Sequence, residues 1–249
     1  MRGAVKMEVL ILFALSIIII QSCKKDNKTN FDVFDADGNG YNWIKIGNQS
    51  WLTENLKTTR YNNGDLIGTT TIIKQDISGE LTPKYQWSYY GDESNVEIYG
   101  RLYTWFAATD SRGVCPAGWH VSTDNDWTVL ENYLISNGYN YDSTLVDNKI
   151  GKSLAAAKLW NSSNTEGAIG NSDYQAYRNK SGFTALPGGV RSSNGVYSDI
   201  GNGTSWWTST EIDSSYVWVR NMFSGNTFIN RIGIPKAELA MSIRCVTGF

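Results

Sequence analysis

Apolar and polar positions divide the chain into a short hydrophobic start and a long body of brief, alternating segments. Residues 9–20 are apolar apart from Ser16, and they follow the basic residues Arg2 and Lys6. A transmembrane helix needs about 20 apolar residues, whereas the core of a signal peptide needs only about 7–15. The pattern therefore predicts a signal peptide over residues 1–22.

Cys23 directly follows this apolar segment and the small residue Ser22. The junction resembles the lipobox of bacterial lipoproteins, and Ile20 and Gln21 make it similar to the looser form of Bacteroidetes lipoproteins. The resemblance implies that Cys23 is lipidated, that residues 23–31 form a polar tether, and that the protein is an outer-membrane lipoprotein of the cell envelope, periplasmic or surface-exposed. The alternatives are a secreted protein with a free Cys23 or a retained anchor.

In the body, the clearest helical pattern begins at Thr123. Thr123 and Asp126 match a capping box in which Asp replaces the usual Glu. Large apolar residues recur at helical spacing from Trp127 to Leu134, and Gly138 provides a stop. The spacing predicts one amphipathic helix whose apolar face packs on a sheet.

Most other periodic segments are short and extended, although residues 152–160 predict a second, shorter helix. Residues 35–51 predict a hairpin with glycine- and asparagine-rich turns. Further strands are predicted at residues 183–186, 206–210, 216–219 and 242–246. No linker interrupts residues 32–249, so we expect a single domain there. We predict an α+β fold with one main amphipathic helix packed on short, mostly antiparallel strands with long loops.

Composition and charge narrow the functional classes. The chain has 22 basic and 24 acidic residues, which excludes electrostatic binding of nucleic acid. The single histidine, His120, excludes a site with several His ligands. Residues 35–40 match the first half of an EF-hand loop, but Ile46 occupies the position that requires a bidentate Glu, so they predict a turn. We expect neither a metal nor a cofactor.

Apart from Cys23, the predicted lipidation site, the chain contains two cysteines, Cys115 and Cys245. An even pair of cysteines in an exported protein is typical of a disulfide. We predict that the two residues form a bridge, and two buried thiols are the alternative.

Motif segments follow one another in a specific order along the body. They are IGNQSWLTENL (46–56), YGRLY (99–103), CPAGWHV (115–121), ALPGG (185–189), WWTSTE (206–211) and SIRCV (242–246). Together they resemble the Fibrobacter succinogenes major paralogous domain family, exported proteins of Fibrobacter and Bacteroidetes, over roughly residues 32–249. The family has no established activity that the resemblance could imply for this chain. Its pattern is similar to the C-type lectin-like fold, which implies a bridge between a Cys near the first helix and one in the last strand.

Polar loops rich in asparagine and aromatic residues suggest a binding module. Flat aromatic rings stack on the faces of sugars, and amides and carboxylates bond sugar hydroxyls. The candidates are Asp173 and Tyr174 in one loop and Tyr197 and Asp199 in another. The calcium motifs of sugar-binding C-type lectins are absent from the sequence. We therefore predict calcium-independent binding of a glycan or of a cell-surface protein.

Two alternatives stay open beside the binding module. The first is a structural or adhesion protein of the envelope without a small ligand. The second, less favoured, is an enzyme related in fold to formylglycine-generating enzymes, which need reactive cysteines. Because the bridge is expected to occupy Cys115 and Cys245 and no carboxylates are paired by spacing, we predict no catalytic activity. Separately, Asp142-Ser143-Thr144 resembles an O-glycosylation sequon of Bacteroidetes and predicts Ser143 as a modification site.

Overall fold

The computed structural model describes residues 31–248 of the chain. The predicted signal peptide, the predicted lipidation site Cys23 and most of the predicted tether lie outside the described residues. Within residues 31–248, which belong to one compact unit, no helix combines the length and the apolar character needed to cross a membrane.

Short strands alternate with turns along the whole described body. In chain order they are β1 (Val33–Phe34), β2 (Gly40–Tyr41), β3 (Trp43–Ile46), β4 (Gln49–Leu52), β5 (Gln86–Trp87), β6 (Leu102–Thr104), β7 (His120–Val121), β8 (Gly188–Ser192), β9 (Tyr197–Ile200), β10 (Gly203–Glu211), β11 (Tyr216–Phe223), β12 (Asn230–Pro235), β13 (Leu239–Met241) and β14 (Cys245–Thr247). The α-helices are α1 (Ser94–Tyr99), α2 (Trp105–Ala108), α3 (Asp124–Ser136) and α4 (Gly151–Leu154).

The strands form three sheets. The largest has the order β12-β11-β10-β8-β13-β6-β5, with β9 added on β8. A second sheet has the order β3-β4-β14-β7, and β1 pairs with β2. Pairing is antiparallel except between β8 and β10, which run parallel. The last strand, β14, thereby joins the predicted hairpin β3–β4 to the residues that precede α3.

Strand β10 is buried on both of its faces. Side chains alternate across a strand, so the neighbours Trp206 and Trp207 point in opposite directions, and both are fully buried. Trp206 packs on Trp127, with 5.3 Å between the ring centroids. The Trp207 indole donates to the carbonyl of Tyr103 at 2.7 Å. The two rings thus belong to two different hydrophobic clusters.

Helix α3 begins where the sequence predicts it. The Thr123 hydroxyl accepts a hydrogen bond from the Asp126 backbone N–H at 3.0 Å, and the Asp126 carboxylate accepts from the Thr123 N–H at 2.8 Å. This reciprocal capping box satisfies backbone donors that the first helical turn leaves free. Trp127, Leu130 and Leu134 are fully buried, which confirms the predicted apolar face.

The predicted fold class is wrong. The described body contains fourteen strands in three sheets, and α3 is the only helix in it longer than six residues. The protein is mostly β rather than a layer built around one main amphipathic helix. The reason is that many segments of two to four residues bury apolar side chains through sheet pairing, and such short segments give little periodic signal in a sequence.

The predicted helix over residues 152–160 is also wrong, because only α4, Gly151–Leu154, is helical there. After Leu154 the chain turns extended and pairs with a distant segment: the Ala156 N–H donates to the Ala185 carbonyl at 2.8 Å. Leu159 then adopts a positive φ of 74°, which a helix does not allow. This tertiary pairing overrides a helical pattern of nine residues.

The predicted disulfide is confirmed. Cys115 and Cys245 are bridged, with 5.9 Å between their Cα atoms and a sequence separation of 130. Cys245 lies in β14 opposite Val121 of β7. The bridge therefore ties the segment before α3 to the last strand of the second sheet.

Candidate functional site

Three residues of the motif segments meet in the core, and one of them, Arg244, is a buried cation. The Asn55 side-chain oxygen accepts hydrogen bonds from the Arg244 Nη2 at 2.9 Å and from the Trp206 indole at 2.9 Å. Arg244 Nη1 donates to the carbonyls of Leu52 and Phe183. Burial lowers the pKa of Arg244 to about 9. These motif residues are buried and hold the fold together through their mutual hydrogen bonds.

Among His120 and the carboxylates Glu54, Asp126 and Glu211, only His120 and Asp126 contact each other. His120 Nε2 contacts the Asp126 carboxylate at 3.0 Å, the same group that caps α3. Glu54 accepts from the backbone N–H of Asn42 at 3.0 Å, and Glu211 pairs with a lysine of another loop. Within residues 31–248, no three His, Cys, Asp or Glu side chains are close enough to hold a metal ion.

In the second predicted pair of ligand residues, Tyr197 is buried and Asp199 is half-buried. Tyr197 is only 4% exposed and packs on Tyr89 and Tyr90, with centroid distances of 5.3 and 4.8 Å. Asp199 accepts from the side chains of Ser198 and Asn202. Tyr197 therefore contributes to a core cluster and does not present its ring to a ligand.

The first predicted pair lies on a surface loop. The buried ammonium of Lys152 forms an ion pair with Asp173, whose carboxylate also accepts from the Gly167 N–H at 2.8 Å. Burial raises the pKa of Asp173, but these partners outweigh it and lower the pKa below its ordinary value. The Tyr174 hydroxyl donates to Glu166 at 2.6 Å. Both side chains thus shape the loop, and Tyr174 is partly exposed.

A cavity of about 180 Å³ lies directly beside this loop. We call it the Trp160 cavity. Its walls combine one aromatic ring, two cations and several small or amide-bearing residues: Ala156, Ala157, Lys158, Trp160, Ile169, Gly170, Asn171, Ser172, Gln175 and Arg178. Neither Asp173 nor Tyr174 lines the cavity, but both lie between residues that do.

Trp160 is held by the segment that follows Phe183. The carbonyl of Ala185 accepts from the Trp160 indole at 3.1 Å and from the Ala156 N–H at 2.8 Å. The ring packs partly on the hydrophobic core and lines the cavity with its remaining surface. The break in the helical pattern after Leu154 is what places this ring at the surface.

The two polar loops singled out from the sequence contact each other next to Trp160, which lines the cavity. The Asn161 N–H donates to the Gly201 carbonyl at 2.7 Å, and Gly170 donates to Ser224 at 2.7 Å. A Cβ at Gly170 would collide with the Asn161 carbonyl. Only glycine permits this close approach of Gly170 to Asn161 within the first loop, and Gly170 itself lines the cavity.

The polar wall of the cavity is partly preorganised. Arg178 Nη2 donates to the carbonyl of Asn171 at 3.0 Å, and the Gln175 amide donates to the carbonyl of Ser172 at 2.6 Å. Burial lowers the pKa of Arg178, and the carboxylate of Asp173 opposes this shift. The guanidinium is thus partly removed from water and directed by a backbone contact.

A second cavity of about 280 Å³ includes Arg101 of the YGRLY motif. Arg101 forms an ion pair with Glu93 and also donates to Gln86 at 3.0 Å and to the Lys57 carbonyl at 2.9 Å. Trp87 is almost fully buried there. Because these side chains already bond each other, this cavity offers a ligand less than the Trp160 cavity does.

Sequence reasoning located the loop but missed Trp160, Lys158 and Arg178. The available signal was an aromatic residue immediately before the polar run Asn161-Ser162-Ser163-Asn164. The helix predicted over residues 152–160 concealed it. Ser143, the predicted O-glycosylation site, is exposed, and its hydroxyl contacts that of Tyr177.

The body of the chain is similar to a known protein family. The sequence model described as the Fibrobacter succinogenes major domain matches residues 44–247. No curated protein and no solved structure matches the chain.

Proposed function

The chain belongs to the Fibrobacter succinogenes major domain family, and from this premise we propose that it is a non-catalytic, calcium-independent glycan-binding protein of the cell envelope whose ligand occupies the Trp160 cavity. The motif segments serve the core, as Asn55, Trp206 and Arg244 illustrate. A binding function is therefore assigned to the loops between those segments, since loops on a rigid scaffold commonly carry function.

The observation that carries the proposal is the partly exposed ring of Trp160 at a polar cavity. An aromatic face packs on the C–H face of a sugar, while amides and cations bond its hydroxyls. Gln175 and Arg178 supply such groups within the same cavity. Typical small-molecule pockets measure about 300–1,000 Å³, so a cavity of about 180 Å³ suits one unit of a longer glycan.

Calcium independence follows from the chemistry of the lining. Calcium binds six to eight oxygen ligands and favours carboxylates. The cavity is lined instead by Lys158, Arg178 and amides, and the neighbouring Asp173 is paired with Lys152. Direct hydrogen bonds from nitrogen donors would replace the calcium ion in holding sugar oxygens.

A glycan array tests the proposal. The full-length chain, in a detergent without a sugar headgroup, is applied with calcium and again with a chelator. We expect binding that survives chelation and that weakens at least tenfold in Trp160→Ala, because truncating a central aromatic anchor costs about 2 kcal/mol.

Trp43→Ala is the matched control, because Trp43 is an exposed tryptophan of β3 and does not line the cavity. Gln175→Ala, at an exposed position, covers the possibility that Trp160→Ala disturbs folding. Binding that disappears with the chelator would contradict the calcium-independent site. Complete absence of binding would favour the structural or adhesion alternative.

We also propose that Cys23 is lipidated and anchors the protein in the membrane, because an acylated cysteine carries enough hydrocarbon for stable attachment. Its support is the apolar segment and the small residue that precede Cys23. Expressed Cys23→Ser is expected in the soluble fraction, whereas the unaltered chain stays with the membranes. An unchanged distribution between the fractions would refute the anchor.

A further inference from the structure

The charges lining the Trp160 cavity are all positive. Lys158 and Arg178 are the only ionisable residues among those that line it, and no carboxylate does. The chain as a whole carries a formal net charge of -2. The positive cavity is therefore a local feature that the overall composition does not predict.

The acidic groups of the adjacent loop are engaged elsewhere. Asp173 is paired with the buried ammonium of Lys152, which also donates to the carbonyl of Asn171. Glu166 accepts the hydroxyl of Tyr174 at 2.6 Å. These carboxylates are thus held by their own partners. Asp173 acts on Arg178 electrostatically, but among the described residues neither Lys158 nor Arg178 forms an ion pair, and no carboxylate lines the cavity beside them.

Arg178 has donors left for a ligand. In the described part of the chain it makes one hydrogen bond, from Nη2 to Asn171, although a guanidinium carries five N–H donors. Lys158 is exposed and forms neither a hydrogen bond nor an ion pair with any described residue. A planar guanidinium with free N–H groups matches the geometry of a carboxylate or a sulfate.

We infer that the Trp160 cavity selects an acidic glycan, whose carboxylate or sulfate binds Arg178 and Lys158 while the sugar ring packs on Trp160. This inference rests on the proposed glycan-binding function and specifies its ligand class. A neutral sugar would leave two cations without a counter-charge among the groups that line the cavity, one of them partly desolvated, so it binds more weakly.

The inference is tested with the full-length chain in the same sugar-free detergent. The array contains neutral glycans beside their carboxylated or sulfated counterparts. Polygalacturonate, its methyl ester, dextran sulfate and dextran then separate the carboxylate source from the sulfate source. We expect at least tenfold preference for the acidic member of a pair, weakening between 50 and 500 mM salt because salt screens charges.

Single substitutions test whether Arg178 and Lys158 cause the preference for acidic glycans. Arg178→Gln is expected to reduce binding of the acidic ligand at least tenfold and to abolish the preference over the neutral partner. Lys158→Gln has the same direction of effect and removes no hydrogen bond or ion pair found among residues 31–248. Lys45→Gln, an equal charge change at an exposed residue of β3, should leave binding unchanged.

The outcomes separate the two proposals. Equal binding of neutral and acidic glycans, or acidic binding that Arg178→Gln and Lys158→Gln do not weaken, would overturn the inference and leave glycan binding intact. Equal losses in Lys45→Gln would show a diffuse charge effect and would also overturn it. No binding to any probe would overturn both proposals.

Discussion

Asn55 is the residue on which the buried polar cluster depends. Its single side-chain oxygen serves the guanidinium of Arg244 and the indole of Trp206, and its amide donates to the carbonyl of Tyr99 at 2.9 Å. The ring of Phe183 lies 4.4 Å from the guanidinium. No carboxylate of residues 31–248 lies within hydrogen-bonding distance of Arg244, so dipoles and an aromatic face stabilise this buried charge.

Asn55→Ala is expected to lower the free energy of unfolding by about 3 kcal/mol, because it leaves a buried cation and an indole N–H without their acceptor. Urea unfolding followed by tryptophan fluorescence measures the effect. Asn164→Ala, at an exposed asparagine, is the control and should change stability by less than about 0.5 kcal/mol. A loss below 1 kcal/mol for Asn55→Ala would mean that water replaces the amide.

At the scale of elements, a boundary set by neighbouring residues was predicted from the sequence, whereas a boundary set by tertiary pairing was not. The start of α3 is encoded by Thr123 and Asp126, three residues apart, so the sequence alone predicts it. The end of α4 is decided by Ala185, which pairs with Ala155 and Ala156. A contact between residues some thirty positions apart leaves no periodic signal in the sequence.

The capping carboxylate of α3 predicts how stability depends on pH. Burial raises the pKa of Asp126, but hydrogen bonds from His120 and Thr123 outweigh it and lower the pKa below its ordinary value. A carboxyl with a lowered pKa in the folded state stabilises the protein fully above its ordinary pKa of about 4. This contribution is lost as the pH falls through the lowered value.

Asp126→Asn should therefore cost about 1 kcal/mol at pH 7 and progressively less below pH 4. Urea midpoints of both proteins at pH 7, 4.5 and 3 measure the difference. Asp32→Asn, at an exposed residue, is the control. Its urea midpoint should differ from that of the unaltered protein by the same small amount at all three pH values. A difference between Asp126→Asn and the unaltered protein that is constant with pH would disprove the role of ionised Asp126.

At the scale of the whole molecule, Cys115 and Cys245 connect segments that lie 130 positions apart. Closing so long a loop stabilises a protein by about 4–5 kcal/mol in the chain-entropy model, since it restricts the unfolded chain. Reduction, or the double variant Cys115→Ser/Cys245→Ser, should lower the free energy of unfolding by up to this amount.

Urea unfolding with and without reductant measures the loss. Intact mass after alkylation, before and after reduction, should show two additional alkylated thiols only in the reduced protein. Cys23→Ser keeps the bridge and is the appropriate control. Alkylation of Cys115 and Cys245 without reduction would contradict the bridge.

The sequence by itself determined three features of the protein: the start of α3, the Cys115–Cys245 pair and the family. These features depend on local hydrogen bonds, on the number of cysteines and on the order of the motif segments. The tertiary structure decided that the fold is mostly β and that Trp160, Lys158 and Arg178 line one cavity. Strand pairing and loop contacts join residues far apart in the chain, and their energies depend on the folded geometry rather than on any local pattern.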